Sequence, residues 1–110
     1  MNKSENDKID FIKPYDNEYT IYSKSGCLYC KEVKYLLIDK KIKYKVIDCD
    51  PYLIENKQEF LTFIRGLANK DHKTFPIVFN NRGQFIGGYT HTKEYLERTL
   101  NNTLDFNKDF

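Results

Sequence analysis

Alternation and periodicity divide the chain into segments with clear ends. Tyr19 to Ser23 (Tyr-Thr-Ile-Tyr-Ser) is rich in strand formers, and Lys24-Ser25-Gly26 punctuate its end. From Cys27 the pattern turns helical: Cys30, Val33 and Leu37 recur at i, i+3 and i+7 with Leu36 beside them, while Lys31, Glu32, Lys34 and Lys40 take the other face. Tyr44 to Asp48 reads as a second strand, closed by Asp50-Pro51. Phe60, Ile64 and Leu67 predict a helix from about Glu55 to Leu67, and Ala68 to Lys73 a polar loop. Ile77-Val78-Phe79 and Gln84-Phe85-Ile86, joined by Asn80-Asn81-Arg82-Gly83, predict a hairpin. Gly87-Gly88 breaks it, and Leu96 and Leu100 mark a last helix over about Thr92 to Asn101.

The order is therefore β-α-β-α-β-β-α. A strand, a helix and a strand imply a right-handed crossover and a parallel pair, to which the hairpin adds an antiparallel half. This predicts an α/β chain with a four-stranded mixed sheet flanked by helices. With a dithiol at the end of the first strand, the order is that of the thioredoxin-like fold. Residues 18–101 form the domain. Residues 1–17 are a polar segment that is either a frayed tail or a short helix packing through Ile9, Phe11 and Ile12. Residues 102–110 are a tail, polar apart from Leu104, Phe106 and Phe110.

Composition narrows the function more than it specifies it. The chain has 110 residues, 40% hydrophobic, with 9 Tyr and 8 Phe, enough for one core and too little for two. A net charge of +2 gives no electrostatic reason to expect nucleic acid or a membrane as partner. No apolar run approaches the length of a transmembrane helix, and Lys3, Glu5, Asp7, Lys8 and Asp10 interrupt the first ten residues. The expectation is a cytoplasmic chain in a reducing compartment, where three cysteines are not a disulfide framework.

The chemistry concentrates in Cys27-Leu28-Tyr29-Cys30. A C-x-x-C at a strand-to-helix junction of a cytosolic chain reads as a redox dithiol. The first thiol sits where unpaired helix N–H groups and the positive end of the helix dipole favour a thiolate, and Lys24 adds a positive charge three residues upstream. Such settings lower a cysteine pKa from about 8.5 into the range of roughly 3.5 to 7.5. Cys30, a turn later, faces the core and suits the resolving role. Zinc wants four ligands, typically as two spaced pairs, and the other candidates, Cys49, His72 and His91, are scattered; no metal is expected. Cys49, at the end of a strand, reads as a small apolar residue or a passive surface thiol. His72 reads as a solvated loop residue, and Lys40-Lys41-Ile42-Lys43 as a solvated turn.

Over Tyr19 to Leu100 the chain resembles the glutaredoxins, through signatures in the family's order. Tyr22-Ser23-Lys24-Ser25-Gly26-Cys27-Leu28-Tyr29-Cys30 resembles the strand end, lysine and C-P-Y-C site, Thr74-Phe75-Pro76 the T-V-P loop, and Gly87-Gly88 the turn before the last helix. The resemblance implies a monomeric glutathione-dependent thiol-disulfide oxidoreductase acting on protein disulfides and on glutathione mixed disulfides. By the same resemblance Cys27 is the nucleophile and Cys30 the resolving thiol, and the two can close a disulfide. Pro76 is expected to be cis, turning the backbone of Phe75 towards an extended glutathione. Lys24 and Tyr29 are expected to flank the tripeptide beside Thr74, with Lys24 near its glycine carboxylate. Gly88, Thr90 and His91, at the mouth of the last helix, are expected to receive the γ-glutamyl carboxylate.

Three positions depart from the family. Leu28 replaces the usual proline after the first cysteine, removing a rigid helix start. Thr90-His91 stands where an acidic residue commonly grips the amino group of glutathione. The loop from Gly66 to Thr74 is long and offers both Arg65 and Lys73 to the glycine carboxylate. Two other readings of the dithiol remain: an electron donor, for example to a ribonucleotide reductase, recycled by a flavoprotein reductase, and a carrier of a [2Fe-2S] cluster ligated with glutathione.

Overall fold

The structure, a computed structural model, describes residues 10–108, with side chains to residue 99. Its strands are β1 (Tyr19–Ser23), β2 (Tyr44–Asp48), β3 (Ile77–Phe79) and β4 (Phe85–Gly87). They form one sheet in the order β2-β1-β3-β4, with β1 parallel to β2 and antiparallel to β3, and β3 antiparallel to β4. The helices are α1 (Leu28–Asp39), α2 (Asp50–Glu55), α3 (Lys57–Ala68) and α4 (Tyr89–Lys108). The mixed, helix-flanked sheet is the one the sequence pattern predicts.

Strand alternation sends side chains to two cores, one on each side of the sheet. Tyr22, Ile77 and Phe79 pack against Phe60 and Ile64 of α3, with Ile47 and Cys49. Tyr19, Ile21 and Val78 pack against Val33 and Leu37 of α1 and Leu96 of α4. Every residue of β1 is buried, as a central strand covered on both faces must be. At the N-terminal end, residues 10–15 carry no helix. Phe11 nonetheless packs edge-on to Tyr52 and Phe60, with ring centroids 4.8 and 5.5 Å away. Ile12 is bound through its backbone, its carbonyl accepting from the Tyr22 hydroxyl at 2.6 Å. Ile9 lies outside the described residues.

Element boundaries differ from the expectation in two places. Asp50-Pro51 does not merely stop β2; it starts a helix. Proline in a first turn loses nothing, because the N–H it lacks has no partner there, and Asp50 favours the positive helix end. Asn56, at φ −142° and ψ 46°, then separates α2 from α3. The last helix starts at Tyr89 and runs through the expected tail to Lys108, since no Gly or Pro interrupts it.

Candidate active site

Cys27 caps α1. Its backbone is extended (φ −110°, ψ 106°), and its sulfur accepts a hydrogen bond from the Cys30 N–H at 3.1 Å. Thus α1 begins at Leu28 without a proline, because the cysteine itself satisfies an otherwise open N–H. The turn before it needs Gly26, whose φ is +68°. That turn is tied down by Asp50, which accepts from the Ser25 N–H at 3.0 Å. The backbone N–H of Ser25, then its hydroxyl, lower the Asp50 pKa, and Lys24 adds to the effect. The next crossover therefore anchors the loop that delivers the first cysteine.

A disulfide joins Cys27 and Cys30, with Cα atoms 5.3 Å apart. Cys27 is half-buried and Cys30 only 1% exposed, so an incoming sulfur reaches the pair through Cys27. Leu28 and Tyr29 between them are open to solvent.

The facing wall comes from two other segments. The Phe75–Pro76 peptide is cis, and Pro76 is buried. The turn at Gly87-Gly88 brings the start of α4 against that loop. A side chain at Gly87, where φ is +138°, would meet the His91 Cβ at 2.8 Å, and a Cβ on Gly88 would stand 3.5 Å from the Pro76 carbonyl oxygen. Thr92, buried one turn into α4, donates its hydroxyl to the Gly88 carbonyl at 2.7 Å and holds the turn closed.

Between these walls lies a cavity of about 350 Å³. Of the residues expected there, Tyr29, Thr74, Phe75, Pro76, Gly88, Thr90 and His91 all line it. Lys24 does not. Its ammonium stands 5.6 Å from the centroid of the Phe75 ring and borders a separate hollow beside Lys34, Asp48 and Asp50. Arg65 and Lys73 also lie elsewhere, in a hollow along α3 that meets the cavity only through His72. Arg65 is engaged there with Asp71 at 3.8 Å.

Two residues of the cavity wall were not expected. His72 is not a solvated loop residue: its ring packs edge-on to Phe85, with centroids 5.1 Å apart. Among the described residues its Nε2 is buried without a hydrogen-bond partner. Burial lowers its pKa, against the nearby carbonyls of Pro76 and Thr74, while His91 and Lys70 push the same way as burial. Tyr89 stacks on Tyr29, with centroids 5.5 Å apart and planes 28° apart, joining the first turns of α1 and α4. The available signals were position alone: His72 two residues before Thr74, and Tyr89 directly after the glycine pair.

The arrangement can cycle between a dithiol and a disulfide, with one sulfur accessible; neither cysteine lines the cavity, which reaches the dithiol segment through Tyr29. The family model for glutaredoxin matches residues 19–86, from the first residue of β1 into β4. The chain belongs to the glutaredoxin family. It is 38% identical over 77 residues to human mitochondrial glutaredoxin-2, a match covering 70% of this chain and 44% of that one, so it spans under half the length of that curated relative. Among solved glutaredoxins, the holo form of glutaredoxin C1 from Populus tremula x tremuloides superposes with a TM-score of 0.59 at 30% identity, covering 83% of each chain. The buckwheat glutaredoxin-glutathione complex gives 0.58 at 25% identity, covering 76% of this chain and 71% of that one.

Proposed function

We propose that the chain is a glutathione-dependent thiol-disulfide oxidoreductase that reduces glutathione mixed disulfides and protein disulfides. The observation that carries this reading is the capped, accessible Cys27 sulfur together with a cavity of about 350 Å³ that is lined by Tyr29, the residue between the two cysteines, by the loop before β3 and by the start of α4. A tripeptide fits a cavity of that scale. The buckwheat relative, crystallised with glutathione, supports the choice of ligand.

In the one-thiol route the Cys27 thiolate attacks the glutathione sulfur of a mixed disulfide, and the protein sulfur leaves as a thiolate. A second glutathione thiolate then attacks the Cys27 adduct, releasing glutathione disulfide and restoring Cys27. In the two-thiol route Cys27 first bonds to a protein sulfur, and Cys30 attacks that bond, closing the Cys27–Cys30 disulfide and freeing the reduced protein. The rate depends on the thiolate fraction of the attacker and the pKa of the leaving thiol. The Cys30 N–H that points at the Cys27 sulfur stabilises its charge after reduction.

The test is turnover of a small glutathione mixed disulfide with glutathione present. Cys27→Ser is expected to abolish it, and Cys30→Ser to retain it. Equal loss in both variants would overturn the roles; turnover supported by a flavoprotein thiol reductase but not by glutathione would overturn the cosubstrate.

A further inference from the structure

Helix α1 buries Cys30, Val33 and Leu37 and exposes large apolar side chains on the opposite side. Leu28 is 64% exposed, Tyr35 63% and Ile38 55%. At 3.6 residues per turn, positions 28, 35 and 38 fall on one stripe. Ordinary surface helices put polar residues there. The stripe starts at the residue next to Cys27 and runs down the helix, away from the cavity, which lies on the Tyr29 side. Lys31 sits within it, and Lys34 borders it on the side of Lys24; Glu32 and Asp39 border the other edge.

We infer that this stripe is the docking surface for the protein that carries the target cysteine, and that it takes an apolar segment with a carboxylate placed for Lys31. The inference rests on the thiol-exchange reading above. Two observations favour this occupant. The first is continuity: a partner bonded to the Cys27 sulfur is held one residue from the exposed Leu28, so the stripe begins beside a contact that the reaction itself creates. The second is size. Three such side chains present on the order of 300 Å² of apolar surface, within the range of a functional patch but well below the roughly 800 Å² per partner of a stable interface. A second copy held permanently needs more; a substrate that must leave after each exchange needs little.

The test uses two peptides, each with one cysteine activated as a mixed disulfide with thionitrobenzoate. In one the cysteine is followed by two leucines at helical spacing and a glutamate; in the other serines replace these three residues. The Cys27 thiolate attacks the peptide sulfur, the peptide's S–S bond breaks, and thionitrobenzoate leaves as a coloured thiolate, so rates are read directly with the Cys30→Ser chain. The leucine peptide is expected to react about fivefold faster, since association is helped by apolar burial. Tyr35→Ser with Ile38→Ser should remove that advantage and leave the serine peptide's rate unchanged; Lys31→Ser should remove a smaller part. Both sites are exposed, and Ile38→Lys alone provides a second variant, with folding checked by thermal melting. Equal rates for the two peptides, or an advantage that survives the substitutions, would overturn the docking surface while leaving thiol exchange intact. Failure of both peptides to react would overturn thiol exchange and the docking surface together. A dimer at micromolar concentration that Tyr35→Ser with Ile38→Ser dissociates would assign the stripe to a second copy instead.

Discussion

Cys27 and Cys49 occupy equivalent places in the chain and have opposite chemistry. Each follows a strand of the parallel pair, and each is the N-cap of the next helix. At Cys27 the backbone is extended and the sulfur turns back to accept the N–H of Cys30. At Cys49 (φ −97°, ψ 2°) the side chain makes no cap bond; its thiol donates to the Ile47 carbonyl at 3.6 Å, and the residue is fully buried in the core beneath α3. Burial first, with the Asp48 and Asp50 carboxylates, pushes its pKa up to about 12, against the favourable backbone contact of Ser23. The helices differ as well, 12 residues behind Cys27 and 6 behind Cys49. A helix N-terminus therefore does not by itself make a thiol reactive. Direction of the sulfur and access of water decide it, because charge can be stabilised only where the donors point and solvent reaches.

The sharpest way to break this contrast is alkylation of the reduced chain at pH 7 with iodoacetamide, located by peptide mass. With its pKa pushed up to about 12 and its side chain buried, the Cys49 thiol is almost wholly protonated and shielded at that pH, whereas the Cys27 sulfur is accessible and receives the Cys30 N–H. Labelling at Cys27 is expected to exceed that at Cys49 by at least about a hundredfold. Comparable labelling of the two in the folded chain would mean that the Cys49 site opens to solvent.

Second in size is the alkaline limb of stability. The folded-state pKa of Cys49 is raised from 9.0 to about 12, so the folded chain holds this proton where the unfolded one has lost it. The contribution is fully present below the unfolded pKa and is lost as pH rises towards the folded value, at about 1.4 kcal/mol per pH unit. Tyr19, raised by burial to about 12, and Tyr22, raised by the same cause, act in the same direction at higher pH. Denaturant unfolding at pH 8 and pH 10.5 is expected to show the loss, and Cys49→Ala to reduce its slope at a cost of about 1 kcal/mol at pH 8. An unchanged slope in Cys49→Ala would remove Cys49 from the account.

The same contrast shows what the residue pattern could reveal. Period-two and period-3.6 spacing identified β1, β2, the hairpin and α1, and the C-x-x-C stood out by its spacing, whereas Thr74, Phe75, Pro76 and Gly88 were picked out by their resemblance to the family's loop and turn signatures. Of the two readings of Cys49 at its strand end, a small apolar residue or a passive surface thiol, its full burial supports the first and corrects the second. What stayed illegible depends on tertiary packing. Proline after an aspartate both ends strands and starts helices, so α2 was hidden in Asp50-Pro51. The loop that carries His72 folds back over Phe85 of β4, a contact no local spacing encodes. Lys24 was placed beside the tripeptide by the family resemblance; its ammonium stands over the ring of Phe75, which lines the cavity, while Lys24 itself does not.

The smallest expected effect joins the two cysteine sites. Asp50 is the residue after Cys49 and the acceptor for Ser25, two residues before Cys27, so it transmits the order of the buried site to the reactive one. Asp50→Ala removes that tie and leaves the Ser25 N–H to water, while Gly26, at φ +68°, gives the turn freedom to wander. The rate of Cys27 with a small disulfide is expected to fall severalfold at pH 7, with Cys49 as unreactive as before. Asp50→Asn keeps an oxygen for Ser25 and should recover most of the rate. The tie also has a pH signature. Because the Ser25 hydrogen bonds hold the Asp50 pKa below its ordinary value of 3.8, the carboxylate stays charged through the neutral range, and its contribution is present above that value and lost only as pH falls through the lowered one. Thermal melting between pH 6 and pH 3 should therefore fall less in Asp50→Asn than in the parent chain. An Asp50→Ala chain that exchanges thiols as fast as the parent would show that the Cys27 turn is held by α1 alone.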